Sequence, residues 1–93
     1  MGRILIDYDG TISVKGKIDK WKVSLIKEAK KRGHTVKVYT SRRGEAARHC
    51  KALLKRRFGL NIEVMGGREN FDVFVDSKAG DWDMMKKFLG RRK

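Results

Sequence analysis

Short runs rich in β-branched and other apolar residues alternate along this chain with longer segments whose apolar residues recur at helical spacing. The predicted strands are residues 3–7, 35–40, 61–65 and 71–75, and the predicted helices are residues 20–32, residues 45–58 and a segment that begins at Asp81. This alternation is typical of a parallel sheet, because each helix returns the chain to the edge where the next strand begins. We therefore predict a single α/β domain over residues 1–93, with a parallel sheet of about four strands and flanking helices.

Glycines and small polar residues separate these segments. Residues 8–17 contain Asp-Gly, a serine and a second glycine, which predicts a loop or a small hairpin. Asp19 is the predicted N-cap of the first helix, and Gly33 is predicted to end it. Trp21 and Trp82 fall at apolar positions of their helices, so a core role is favoured over base stacking.

The chain is strongly basic. It has 24 Lys and Arg against 11 Asp and Glu, which gives a formal net charge of +13. A surplus of this size attracts polyanions, above all nucleic acid, through phosphate contacts and the release of condensed counterions. The alternative is a solvated lysine-rich surface that maintains solubility, and the charge alone does not separate the two.

Cysteine content and hydropathy restrict the cellular compartment that we expect for this protein. The single cysteine, Cys50, excludes an internal disulfide, and its place on the apolar face of a predicted helix indicates a buried thiol. No apolar run approaches the roughly 20 residues that span a bilayer, and no signal-peptide pattern is present. We expect a cytoplasmic protein with no membrane partner.

Three of the predicted strands end in groups suited to phosphate or metal chemistry. The first ends at Asp7, the second at Thr40 and Ser41, and the fourth at Asp76. Ligands of parallel α/β sheets bind beyond the carboxyl ends of the strands, so these side chains are candidates for one site. They converge only if the first strand lies between the second and the fourth.

The residues that follow the first strand make this site more specific. Asp7 and Asp9 would share one site if the chain bends after Asp7, and Gly10 permits such a turn. The alternative is an Asp-Gly turn that Asp7 merely caps. An apolar strand before the pair and Gly-Thr after it favour the functional interpretation.

Three segments together resemble a known enzyme family. Residues 4–12, residues 38–42 and residues 72–76 are similar to the first, second and fourth motifs of haloacid dehalogenase (HAD) superfamily phosphatases. The resemblance extends from residue 3 to about residue 82 and is strongest with the short, capless, often phage-encoded members. It implies a small Rossmann-like sheet without a cap domain, and a hydrolase that removes phosphate from phosphorylated substrates.

The resemblance also implies roles for individual residues. Asp7 would attack phosphorus and form an aspartyl-phosphate, and Asp9 would act as general acid and then as general base. Thr40 and the Ser41 backbone amide would hydrogen-bond the phosphoryl oxygens. Mg²⁺ would be held by Asp7, the backbone carbonyl of Asp9, and Asp76.

The sequence departs from the family pattern at two positions. Arg68 stands where short members usually carry a lysine, and Lys78 is the alternative group for that role. Ser77 stands where many members carry a second acid, and Asp81 matches the alternative spacing of that acid. Asp81 is therefore expected to be either an outer metal ligand or a helix cap.

The chain leaves no room for a cap between its motifs, so the expected site is open. An open site suits a macromolecular substrate or a lid supplied by the partner subunit of an oligomer. With Arg42 and Arg43 at the mouth of the site, we expect a phosphorylated nucleic-acid end, such as a 3′-phosphate. The alternatives are a catalytically weakened nucleic-acid-binding module and a receiver-like signalling domain. A receiver-like domain should carry its phosphate-accepting aspartate after a central strand, and this sequence has no such aspartate after the third predicted strand.

Overall fold

The computed structural model describes residues 2–41, 44–66, 71–76 and 81–90. The strands within these residues are β1 (Arg3–Asp7), β2 (Ser13–Val14), β3 (Lys17–Ile18), β4 (Thr35–Tyr39), β5 (Glu63–Met65) and β6 (Val73–Val75). The helices are α1 (Lys20–Lys31), α2 (Glu45–Phe58) and α3 (Asp81–Gly90).

Four strands form one parallel sheet in the order β5-β4-β1-β6. The predicted fold class is therefore confirmed, and β1 lies between β4 and β6 as the convergence of the site residues requires. Ile6 is aligned with Val38 on one side and with Val75 on the other. The carboxyl ends of the three strands are thus level, and Asp7, Thr40 and Asp76 follow at the same edge of the sheet.

The core lies between this sheet and the helices. Ile4 and Ile6 of β1 belong to one buried apolar cluster that includes residues of all three helices, whereas Leu5 is buried outside it. This separation follows from the alternation of side chains along a strand. The helical members of the cluster are Val23, Ile26 and Ala29 of α1, Cys50 and Leu54 of α2, and Met85 and Leu89 of α3.

Helix α1 contacts both other helices through basic side chains. Lys27 Nζ donates a hydrogen bond to the carbonyl of Phe58, and Lys30 Nζ donates to that of Asn61. Arg32 Nη1 donates to the carbonyl of Leu89, at 2.8 Å. The carbonyls of Phe58 and Leu89 are in the last turns of α2 and α3, where carbonyls have no partner within their own helix, and Asn61 lies in the loop that follows α2.

The predicted boundaries agree closely with the structure where local signals are strong. Helix α2 has the predicted bounds, and α1 ends one residue earlier than predicted. The hairpin alternative for residues 8–17 is confirmed, since β2 and β3 pair antiparallel around Lys15 and Gly16, both with positive φ. Strands β5 and β6 begin two residues later than predicted.

The prediction that Trp21 belongs to the core is wrong. Its side chain is 46% exposed, whereas the neighbouring Lys22 is only 7% exposed. Lys22 lies four and seven residues before Ile26 and Ala29, so the helical period places it on the buried face. Its aliphatic stem can be buried there because its ammonium group reaches a backbone carbonyl.

Candidate active site

A tight backbone turn after β1 positions the first acidic residues. The Tyr8 N–H donates to the carbonyl of Tyr39 at 2.9 Å, so the pairing of β1 with β4 continues past Asp7. The Tyr8 carbonyl then accepts hydrogen bonds from the three backbone N–H groups of residues 11–13. Gly10 has φ +80°, a conformation that glycine adopts at little cost, as expected from the Asp-Gly sequence.

This turn brings Asp9 to the end of the neighbouring strand. The Thr40 hydroxyl donates to Asp9 Oδ2 at 3.1 Å. Thr40 is fully buried, and its backbone N–H donates to the Met65 carbonyl at 3.0 Å. The hydroxyl proton is therefore directed at Asp9, and the expected contact with a phosphoryl oxygen requires the hydroxyl to rotate.

The carboxyl groups of Asp7 and Asp76 are in hydrogen-bonding contact across the β1–β6 pair. Partial burial raises the pKa of Asp7 above its usual range, and the charge of Asp76 and the hydrogen bond to it raise that pKa further. The charge of Asp9 has a smaller effect in the same direction, while a backbone hydrogen bond from Tyr8 lowers the pKa. The structure therefore places Asp76 beside Asp7, and it places Asp9 close enough for its charge to affect the pKa of Asp7.

Asp81 fixes the backbone at the end of β6. Its Oδ2 accepts a hydrogen bond from the Asp76 N–H at 2.9 Å. Asp81 is the first residue of α3, so this bond ties the beginning of the helix to the strand that carries Asp76. Asp81 thus bonds the backbone that follows β6. This contact differs from both roles expected from the sequence, an outer metal ligand and a helix cap.

Two carboxyl groups in contact form a donor set that suits a divalent cation, because its charge would replace their repulsion with attraction to both. Asp7 and Asp76 meet this condition. Among the described residues, no three His, Cys, Asp or Glu side chains are grouped for a metal ion, so neither Asp9 nor Asp81 adds a third carboxylate side chain to the pair. The smaller expected set, which adds only the backbone carbonyl of Asp9, fits Mg²⁺ because this ion takes few ligands from protein and retains several waters.

Sequence reasoning missed a lysine that contacts the active-site loop. Lys22 Nζ donates to the Thr11 carbonyl at 2.7 Å and lies 3.6 Å from Asp19 Oδ2. Thr11 is also buried, and its hydroxyl has no hydrogen-bond partner in the described part of the chain. The signal that could have identified Lys22 is its helical spacing to Ile26 and Ala29.

One expected catalytic residue, Arg68, lies outside the described residues. The same holds for three expected substrate-binding residues, which are Arg42, Arg43 and Lys78. Ser41 directly follows Thr40 and is exposed at the same edge of the sheet.

Comparison of the chain with protein-family models, curated proteins and solved structures found no significant match. No helix among the described residues has both the length and the hydropathy to cross a membrane.

Proposed function

We propose that this protein is a Mg²⁺-dependent phosphomonoesterase that acts through an aspartyl-phosphate on Asp7. The observation that carries the proposal is the meeting of Asp7, Asp9 and Asp76 at one edge of the sheet, with Asp9 held by Thr40. The resemblance of residues 4–12, 38–42 and 72–76 to HAD phosphatases supports the same assignment.

In the first half of the reaction, a carboxylate oxygen of Asp7 attacks phosphorus and the bond to the leaving alcohol breaks. Asp9 gives its proton to the leaving oxygen, so an alcohol departs and the phosphoryl group remains on Asp7. In the second half, Asp9 removes a proton from water, and the resulting hydroxide attacks the phosphoryl group. Inorganic phosphate leaves, Asp7 is regenerated as a carboxylate, and Asp9 is again protonated.

The nucleophile must be ionised, and its contact with Asp76 opposes ionisation in the metal-free protein. Mg²⁺, when bound, would supply positive charge that favours the ionised carboxylates and neutralises charge on the phosphoryl group. Asp7, Asp76 and the Asp9 carbonyl would hold it. Asp81 would keep the Asp76 backbone in position for this role through the bond to its N–H.

The proposal is tested with p-nitrophenyl phosphate as substrate. Turnover should require Mg²⁺, and Asp7→Asn should lower it by roughly a thousandfold or more, because the covalent route is lost. Asp83→Asn is the matched control, since this exposed aspartate of α3 lies outside the site. Near-wild-type turnover of Asp7→Asn, or equal turnover in chelator, would refute the mechanism.

The substrate that we propose is a phosphorylated nucleic-acid end, with action in the cytoplasm. The net charge of +13 favours a polyanionic substrate. On the described residues of α2, basic side chains are exposed and Glu45 is the single acid. This step rests on charge, and it is separable from the phosphatase chemistry.

A second candidate is a nucleic-acid-binding module with weakened catalysis. The burial of Asp7 and its contact with Asp76 favour it, because both disfavour the ionised form of the nucleophile. Oligonucleotide binding without turnover, at saturating Mg²⁺, would support this candidate over the first.

A further inference from the structure

A small aromatic and basic surface lies beside the candidate site and is not used by the chemistry described above. It consists of Trp21, Trp82 and Lys86, together with the buried Lys22 that adjoins them, and is called the Trp21 surface below. The Trp21 and Trp82 ring centroids are 5.4 Å apart, and the ring planes meet at 74°, an edge-to-face contact. Lys86 Nζ lies 5.1 Å from the Trp21 ring centroid, and Lys22 Nζ lies 5.7 Å from it.

Trp21 is more exposed than a tryptophan that only packs against its neighbours. Almost half of its surface is in contact with water, although an indole is largely apolar. Trp82 is less exposed, and its edge-to-face contact holds the Trp21 ring in place. A held aromatic ring beside ammonium groups suits a ligand that has both a flat π system and negative charge.

The Trp21 surface is joined to the candidate site at two points. Lys22 donates to the carbonyl of Thr11, which lies two residues after Asp9. Trp82 directly follows Asp81, whose carboxylate bonds the Asp76 backbone. Both tryptophans are in the first turns of their helices, and α3 begins at the edge of the sheet where the acids meet.

We propose that the Trp21 surface binds a nucleobase of single-stranded nucleic acid, by stacking on the Trp21 indole. We place this base in a nucleotide close to the terminal phosphate, and this placement rests on the proposed function. Stacking itself can be measured without turnover. The Lys86 side chain is 55% exposed, and its Nζ lies 4.0 Å from Asp83 Oδ1. An exposed ion pair at this long distance contributes little stability in water. Lys86 can therefore exchange this partner for a nucleic-acid phosphate.

The test separates stacking from the general attraction of a basic protein for polyanions. Binding of a 3′-phosphorylated single-stranded oligonucleotide, and of an abasic strand with the same number of phosphates, is measured by fluorescence anisotropy in chelator. Trp21→Ala should weaken binding of the oligonucleotide by about 5- to 150-fold, the range for loss of one base–aromatic stack, and leave the abasic strand unaffected. Trp21→Phe should retain most of the affinity because it keeps an aromatic face. An equal loss for both strands, or no loss for either, would overturn the proposal.

A second measurement reports on the indole directly. The chain has two tryptophans, so Trp82→Phe leaves Trp21 as the single indole fluorophore. Its emission should be quenched by the oligonucleotide and not by the abasic strand. Lys86→Glu should weaken oligonucleotide binding more than Lys87→Glu, which makes the same charge change at the next residue. Absence of base-dependent quenching, or equal effects of the two lysine variants, would contradict the assignment.

Two other outcomes have distinct meanings. If wild-type protein does not hydrolyse p-nitrophenyl phosphate but Trp21→Ala loses base-dependent binding, the phosphatase proposal fails and the stacking proposal stands. If Trp21→Ala changes the sedimentation of the protein and leaves oligonucleotide binding intact, the surface joins subunits and the stacking proposal is overturned.

Discussion

Asp7 and Asp76 contact each other, although two ionised carboxylates in contact repel each other. Burial and this contact raise the pKa of Asp7, because both disfavour its ionised form. The same arrangement that would attract a cation therefore costs stability when no cation is bound. This cost can be measured by stability experiments that involve no substrate.

Asp7→Asn should raise the melting temperature of the metal-free protein at neutral pH. The pKa of Asp7 in the folded state lies above its unfolded-state pKa, so the folded form binds the proton more tightly. The free energy of unfolding therefore falls as the pH rises from the unfolded-state pKa through the folded-state pKa. The gain from Asp7→Asn should disappear below the ordinary aspartate pKa of about 3.9, where both states are protonated. Asp83→Asn should give no gain at either pH. A lower melting temperature for Asp7→Asn at neutral pH would show that the contact is not repulsive.

Two buried threonines of the site should respond oppositely to replacement by valine. Thr11→Val should raise the free energy of unfolding, by about 1 kcal/mol, because it removes a buried hydroxyl that has no partner among the described residues. Thr40→Val should lower it, because the hydroxyl bonded to Asp9 Oδ2 is lost. Urea unfolding of both variants provides the measurement. A loss of stability in Thr11→Val would indicate that its hydroxyl has a partner in the folded protein.

Among the elements, those with strong local signals were predicted best. Helix α2 was predicted residue by residue, because Gly59 ends it in the left-handed conformation and its apolar residues are regularly spaced. Trp21 was assigned wrongly because apolar character was given more weight than helical phase. Lys22 has the better phase, and the environment of its ammonium group cannot be inferred from periodicity.

The candidate site was predictable to the extent that it depends on strand ends. Parallel pairing places Asp7 and Asp76 side by side once β1 is next to β6. The bonds from Thr40 to Asp9 and from the Asp76 N–H to Asp81 depend on loop geometry. Residue types do not determine that geometry.

The close approach of Gly2, just before β1, to Phe88 of α3 gives a prediction at the level of elements. A Cβ on Gly2 would lie 2.3 Å from Phe88 Cζ, so Gly2→Ala must displace a ring that also contacts His34. We expect a loss of about 1–3 kcal/mol, as in other overpacked sites. Gly90→Ala is the matched control and should be neutral or stabilising, because its Cβ meets no atom within 4 Å and alanine favours helix. Thermal unfolding that is equal for Gly2→Ala and wild type would mean that Phe88 moves freely.

For the whole molecule, a net charge of +13 contrasts with a site whose own side chains Asp7, Asp9 and Asp76 are acidic. The electrostatic potential at the site therefore differs from that of the protein as a whole. A small phosphomonoester contacts mainly the site, whereas a polynucleotide would also contact the basic surface. Ionic strength should distinguish the two substrates.

The kcat/KM for a 3′-phosphorylated oligonucleotide should fall with salt much more steeply than that for p-nitrophenyl phosphate. Each phosphate contact on a single strand contributes about −0.7 to the log–log slope. Charge reversal of Arg42 and Arg43 should flatten the slope, whereas reversal of Lys31 and Lys87, in the last turns of α1 and α3, should change it less. Parallel salt dependences for the two substrates would remove nucleic acid from the proposal.

The pairing of β1 with β6 also determines when the proposed phosphatase activity can return during refolding. These strands are separated by most of the chain, and contacts between such distant segments form late and slowly. Helices and the β1–β4 pair could form early and still leave Asp7 without Asp76. Recovery of turnover after dilution from denaturant should therefore lag behind recovery of the helical circular dichroism signal, and its time course would report the closure of the sheet.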